Sequence, residues 1–324
     1  MNSELKTKNS NMTQFKRFYS QYTYVFSFIA LVIIATIFND NFFTYANLST
    51  LMLQSAIKGV IALGMTLVII SGQIDLSVGS MVALVSGLGV VVLNRSESAI
   101  LMLLFCMVFG SILGLVNGLL VTKGRIAPFI VTLATLSAYR SIIVQLGQGG
   151  PFNVGPAVYQ QFRLIAAGNF LRIPNLAIIF VLITAVIAFM MDHTKFGRYV
   201  YSVGSNETAA RLSGINVDRI KALTFTITGF LTGISAFLLA SRLTSITAPN
   251  VGMSFELDAI AAVAIGGTAM SGGRGRIVGT FLGIIMLQMI EGILIAARIP
   301  PFLTGLVKGV IIILAVLLQR KTQK

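Results

Sequence analysis

Residues 64–84 read GMTLVIISGQIDLSVGSMVAL, and that stretch decides what kind of molecule this is. Two apolar runs flank a short polar break, and the one ionisable side chain in it is Asp75. A charge near mid-bilayer costs about 2.5–3.5 kcal/mol on insertion scales, so a residue of this kind faces protein or water rather than lipid. An acid opening a Gly-rich apolar run is the pattern of a broken or re-entrant helix packed inside a bundle. Asp75 can therefore cap a half-helix, accepting from the amides near Ser77 and Val78, or it can touch a transport path.

The rest of the chain extends the same pattern. Of 324 residues, 56% are hydrophobic and 10% charged, against about 25% charged in soluble domains, so a water-soluble fold has no means of hiding the apolar surface. Crossing the hydrocarbon core takes about 20 apolar residues. On that basis ten segments emerge, near 22–38, 55–70, 76–93, 99–121, 127–146, 175–191, 220–241, 257–269, 277–296 and 302–318. The expected fold is all-α, a polytopic membrane helix bundle of about ten transmembrane or partly re-entrant helices, with the third and eighth as the re-entrant candidates. Glu256 and Asp258 stand at the start of the eighth with the same choice as Asp75, capping or path.

The formal charge of +14 would suggest nucleic acid in a soluble protein. Here its distribution gives another reason, because Lys and Arg accumulate on cytoplasmic loops. With ten crossings, 16 of the 24 basic residues fall on one side, 5 on the other and 3 (Lys58, Arg140, Lys308) within spans. That bias places both termini inside the cell and leaves the lipid bilayer, not nucleic acid, as the partner of the charge. The expected organisation is a cytoplasmic segment 1–21, a permease domain 22–319 containing an inner loop 192–221, and a cytoplasmic tail 320–324. The outer interruption, 147–174, contains GQGGPFNVGP and reads as a loop, since Gly and Pro disfavour helix. In the inner loop, Ser205 or Asn206 can cap a short helix through Glu207, Ala209, Ala210 and Leu212, with Gly214 placed to end it.

Catalytic signatures are missing. No G-x-x-x-x-G-K-[ST], H-E-x-x-H, C-x-x-C or G-x-S-x-G occurs, so no cofactor, metal or enzymatic activity is expected, and any ATP must be bound by another subunit. The cluster GGTAMSGGRGR, 266–276, lies between two apolar spans and reads as a tight turn rather than a phosphate loop. His193, the one histidine, reads as a solvated loop residue, and Cys106, the one cysteine, as a packing residue. Arg140 and Glu291, near span ends, read as snorkelling or functional groups. Asn117, Gln145 and Gln288 suit sugar hydroxyls or helix-to-helix bonds equally.

Several ordered stretches then carry a resemblance. They are NFFTYANLSTLMLQ (41–54), the opening stretch 64–84, NGLLVTKGRIAPFIVTLAT (117–135), HTKFGRYVYSVGSNETAARLSGINVDRIK (193–221), ELDAIAAVAIGGTAMSGGRGRIVGT (256–280) and VKGVIIILAVLLQ (307–319). The chain resembles the permeases of ribose-type ABC importers of the bacterial inner membrane. That resemblance implies two copies of the chain, most simply a homodimer, a cytoplasmic ABC ATPase beneath them and a periplasmic sugar-binding protein above. It maps the ATPase-coupling segment onto 197–214, with Gly197, Asn206, Glu207, Ala209, Ala210, Arg211, Leu212 and Gly214 as contacts. Gln73, Asp75, Ser77, Asn117, Glu256 and Asp258 are then the expected path residues or half-helix caps. Gln73 departs from the small residue more usual before I-D-L-S. Two alternatives to a ribose importer stand beside it, a permease for the furanosyl signal autoinducer-2 and a stand-alone secondary sugar carrier.

Overall fold

A computed structural model describes residues 23–300 and scattered positions between 303 and 313. The expected segment 1–21, the tail 320–324 and most of the tenth span lie outside the described residues. The helices, in chain order, are α1 (Thr23–Phe38), α2 (Tyr45–Ile70), α3 (Val78–Ser96), α4 (Ala99–Thr122), α5 (Pro128–Leu146), α6 (Tyr159–Ala167), α7 (Asn175–His193), α8 (Lys195–Ser205), α9 (Glu207–Leu212), α10 (Val217–Leu243), α11 (Phe255–Ile265) and α12 (Ile277–Ala296). Four short strands, β1 (Pro151–Asn153), β2 (Asn169–Phe170), β3 (Ile173–Pro174) and β4 (Ser245–Thr247), complete the described chain. Seven of the helices, α2 to α5, α7, α10 and α12, are long and apolar enough to cross a bilayer. The molecule is an all-α polytopic bundle.

Two expectations are refined. The third span is an unbroken helix, α3, of 19 residues, so its Gly-rich start is a packing feature and not a break. The eighth is short: α11 has 11 residues, about 16 Å of helix at 1.5 Å per residue, roughly half the hydrocarbon thickness. The outer interruption also differs from the expected loop. GQGGPFNVGP does form turns and β1, but the polar residues after it wind into α6, whose Phe162 and Ala166 are buried.

Central to the bundle is α10, which packs on α2, α3, α4 and α6. Its pairing with α4 uses small residues spaced one turn apart. Gly110 abuts the Gly229 carbonyl, Gly114 the Phe225 carbonyl, and Gly118 the Cα of Ala222. Without a hydrophobic driving force between helices in lipid, such close backbone approach supplies the attraction through dispersion. Buried hydroxyls add cross-links: Thr228 Oγ1 donates to Gly64 O at 2.9 Å and Ser235 Oγ to Ile57 O at 2.7 Å, both joining α10 to α2.

The connecting segments sort to two ends. At one end β1 pairs antiparallel with β4, Phe152 opposite Ile246, and Asn94 at the end of α3 bonds Asn153 O and Gly155 N. At the other end the tail of α2, the α8–α9 segment and the turn 266–276 meet. Gly273 N donates to Ile70 O at 2.8 Å, and Tyr201 Oη to Gly275 O at 2.9 Å. Contacts alone thus gather the connecting segments into two groups, one around the β1–β4 pair and one around the α8–α9 segment.

Candidate functional site

At the basic end, α7 turns directly into α8. Thr194 caps α8 by accepting from Gly197 N at 3.4 Å, and Gly197 lies so close to the Met191 carbonyl that a side chain there has no room. Val200 and Val203 are buried, while Arg198, Tyr199 and Ser202 face out. Asn206 then ends α8 and caps α9, its Oδ1 accepting from Ala209 N at 2.9 Å. After Leu212 the chain reverses at Gly214, whose φ of +82° suits glycine, and Ile215 N returns to Ala210 O at 3.1 Å.

Ion pairs tie this short helix to the start of α10. Glu207 receives Lys221 at 2.7 Å and Arg211 at 3.3 Å, and Arg211 also reaches Asp218 at 3.4 Å. The hydrogen bond from Lys221, helped by its charge and by Arg211, holds the Glu207 carboxyl below the ordinary glutamate range despite partial burial. Of the eight residues expected to contact a partner, Gly197 and Ala210 are buried within the chain itself. The outward surface is left to Asn206, Glu207, Ala209, Arg211, Leu212 and Gly214, and Leu212 is 85% exposed.

The expected path or cap residues form separate groups. Asp75 Oδ1 accepts from Ser77 N at 2.9 Å and from Ser77 Oγ at 2.7 Å. Asn117 Nδ2 donates to Ser77 Oγ at 2.8 Å, and Tyr139 Oη donates to Leu113 O at 3.2 Å and approaches Asn117 Oδ1 at 3.4 Å. One buried network thus joins the α2–α3 connection to α4 and α5. Gln73 stands apart, its amide nitrogen donating to Gly72 O at 3.0 Å. Glu256 sits beside Gly79 at the start of α3. Arg140, which sequence left undecided, staples α5 to the segment before α11: its Nη1 donates to Ala248 O at 2.7 Å and Val251 O at 2.6 Å.

Asp258 belongs elsewhere. It pairs with Lys58 at 2.7 Å, and Lys58 also reaches Glu291 at 3.3 Å, so α2, α11 and α12 are joined by one ammonium between two carboxylates. The Lys58 ammonium also lies 5.7 Å from the centre of the Phe255 ring. Beside this cluster is a cavity of about 280 Å³ lined by Gln54, Ile57, Lys58, Leu239, Arg242, Phe255, Gln288 and Glu291. Gln288 is 3% exposed, and neither its amide nitrogen nor its oxygen has a hydrogen-bond partner among the described residues. Leaving a buried polar group unsatisfied costs about 1–3 kcal/mol. The sequence singled out Gln288 and Glu291 but had no way to show that both line one cavity with Lys58. Among the described residues no group of three or more His, Cys, Asp or Glu is placed to hold a metal ion.

Comparison with known proteins gives a consistent result. The family model described as branched-chain amino acid transport system / permease component matches residues 47–316. The ribose import permease protein of Bacillus subtilis is 43% identical over 291 residues, 90% of each chain. That of Escherichia coli K12 is 36% identical over 296 residues, 91% of this chain and 92% of its own. The L-arabinose transport system permease protein of Escherichia coli K12 is 33% identical over 310 residues, 96% and 93%. No solved structure matches. With a family model covering most of its length and relatives aligned nearly end to end, this chain belongs to the branched-chain amino acid transport system / permease component family.

Proposed function

We propose that the chain is the membrane-spanning subunit of an ATP-driven importer that carries ribose or a closely related monosaccharide into the cytoplasm. It lies in the bacterial inner membrane with both termini inside, and it is not itself an enzyme. A separate ABC ATPase docks on the α8–α9 platform, a periplasmic sugar-binding protein delivers cargo at the β1–β4 end, and a second copy of the chain completes the passage.

The observation that carries this reading is the platform itself. Leu212 stands out at 85% exposure on a six-residue helix that is clamped by ion pairs to α10. An exposed leucine on a rigid, polar-rimmed mount is an anchor for a partner's pocket. Because α10 packs along α2, α3 and α4, a displacement of α9 is delivered to the spans as a body. The ribose and arabinose names of the relatives support the sugar class.

The test is Leu212→Asp in proteoliposomes containing the permease, its ATPase and the binding protein. The substituted chain should insert normally and lose ATP-dependent ribose uptake by at least about tenfold, because a desolvated anchor is commonly worth about 2 kcal/mol or more. Wild-type uptake rates in the variant would refute the docking role. Uptake by the chain alone under an ion gradient would refute the importer and favour a secondary carrier.

A further inference from the structure

The cavity between α2, α10, α11 and α12 is not explained by a mechanical role for the platform. Its walls combine features that packing alone does not call for. Gln54 and Lys58 lie one turn apart on α2, and Gln288 and Glu291 lie one turn apart on α12, so both pairs line the same space. Gln288 is buried, yet its donor and acceptor are both unused among the described residues. A primary amide offers two N–H donors and a carbonyl acceptor, a pattern that matches neighbouring hydroxyl groups on one ring.

Charge narrows the ligand. The cavity brings together Lys58 and Arg242 with Glu291, and Asp258 adjoins it through Lys58, so cations and carboxylates balance. A net anion or cation would upset that balance; a neutral molecule would not. Phe255 adds an apolar aromatic ring to the lining, and apolar surface of that kind takes up the C–H groups of a sugar ring. The volume of about 280 Å³ is near the lower bound, about 300 Å³, of small-molecule sites, which suits one sugar ring and not an oligosaccharide.

We infer that this cavity is an intramembrane binding site for a neutral, polyhydroxylated ligand of monosaccharide size, with Gln288 as its specificity-determining amide. The inference rests on the importer reading and adds to it. Position fits the role: Arg242 and Phe255 flank the segment containing β4, so the cavity lies towards the β1–β4 end, where cargo enters.

The test is Gln288→Leu, measured in the reconstituted importer with D-ribose as the probe. Because Gln288 bonds no described protein group, a leucine of similar size should leave thermal stability equal to wild type or raise it. Initial uptake at low ribose should nevertheless fall by about tenfold or more, and discrimination between ribose and its deoxy analogues should weaken. Equal stability with uptake within about twofold of wild type overturns the cavity site while the importer stands. Lowered stability also overturns it, since the amide would then be a structural bond between helices. If wild type itself takes up no ribose with ATPase and binding protein present, the importer reading has failed, and the cavity proposal with it.

Discussion

Gly204→Ala is the most informative single substitution, because propensity and packing predict opposite signs. Alanine is favoured over glycine within a helix by about 1 kcal/mol, so α8 in isolation should gain. In the folded chain a methyl group at Gly204 meets the Ile70 carbonyl oxygen, the Gly273 nitrogen at 2.7 Å and the Ile70 carbonyl carbon at 2.8 Å. Ordinary Cβ contacts begin near 3.4 Å, so α8 must retreat by about 0.7 Å or more. The atoms in the way are backbone and cannot rotate aside. Retreat also strains the bond from Gly273 N to Ile70 O, worth about 0.5–1.5 kcal/mol, while overpacking costs about 1–3 kcal/mol. After the propensity gain of about 1 kcal/mol, the net expectation is a loss of about 0.5–3.5 kcal/mol. Denaturant unfolding in detergent would measure it, and amide exchange at Gly273 would locate it. A Gly204→Ala chain more stable than wild type, with the Gly273 amide still protected, would refute the claim that α8 is seated on α2 by backbone contact.

Two further outcomes follow from the ion pairs. Lys58→Met removes the ammonium from two carboxylates and should destabilise the chain by about 3–5 kcal/mol, as breaking a buried pair does; adding Asp258→Asn should recover a large part, and equal stability of the single and double variants would contradict this. For α9, the Glu207 carboxyl titrates below its usual value of 4.5 because Lys221 donates to it. A depressed folded value means the tie is intact above the ordinary glutamate range and is lost as pH falls through the folded value. Protection of the amides in residues 209–214, relative to their intrinsic exchange rates, should therefore fall in wild type as pH drops below the ordinary glutamate range and stay flat there in Glu207→Gln; identical profiles would rule it out.

Parts of the site were legible because their physics is local. Asn206, Glu207 and Gly214 lie within nine residues of one another, and an N-cap, a first-turn acid and a positive-φ glycine act over a single turn. Asp75 with Ser77 is likewise a contact over two residues. The Lys58, Asp258 and Glu291 cluster was not legible. Asp258 and Glu291 lie 200 and 233 positions from Lys58 in the chain, and each of the two acids alone had an adequate local explanation, capping for Asp258 and snorkelling for Glu291. Arg140 was ambiguous for the same reason, since its acceptors are carbonyls 108 and 111 residues away. Helix α6 escaped notice because the turn-forming residues before it dominate the composition of that segment.

Hydropathy, charge bias and capping residues by themselves determined a multi-pass helical bundle with a short capped helix in its basic loop, because lipid and the single helical turn both act on neighbours in sequence. Only the tertiary structure decided which polar groups meet inside. In the membrane interior a buried charge or amide must be satisfied by whatever side chain the packing of distant helices brings to it, and no local pattern encodes that choice.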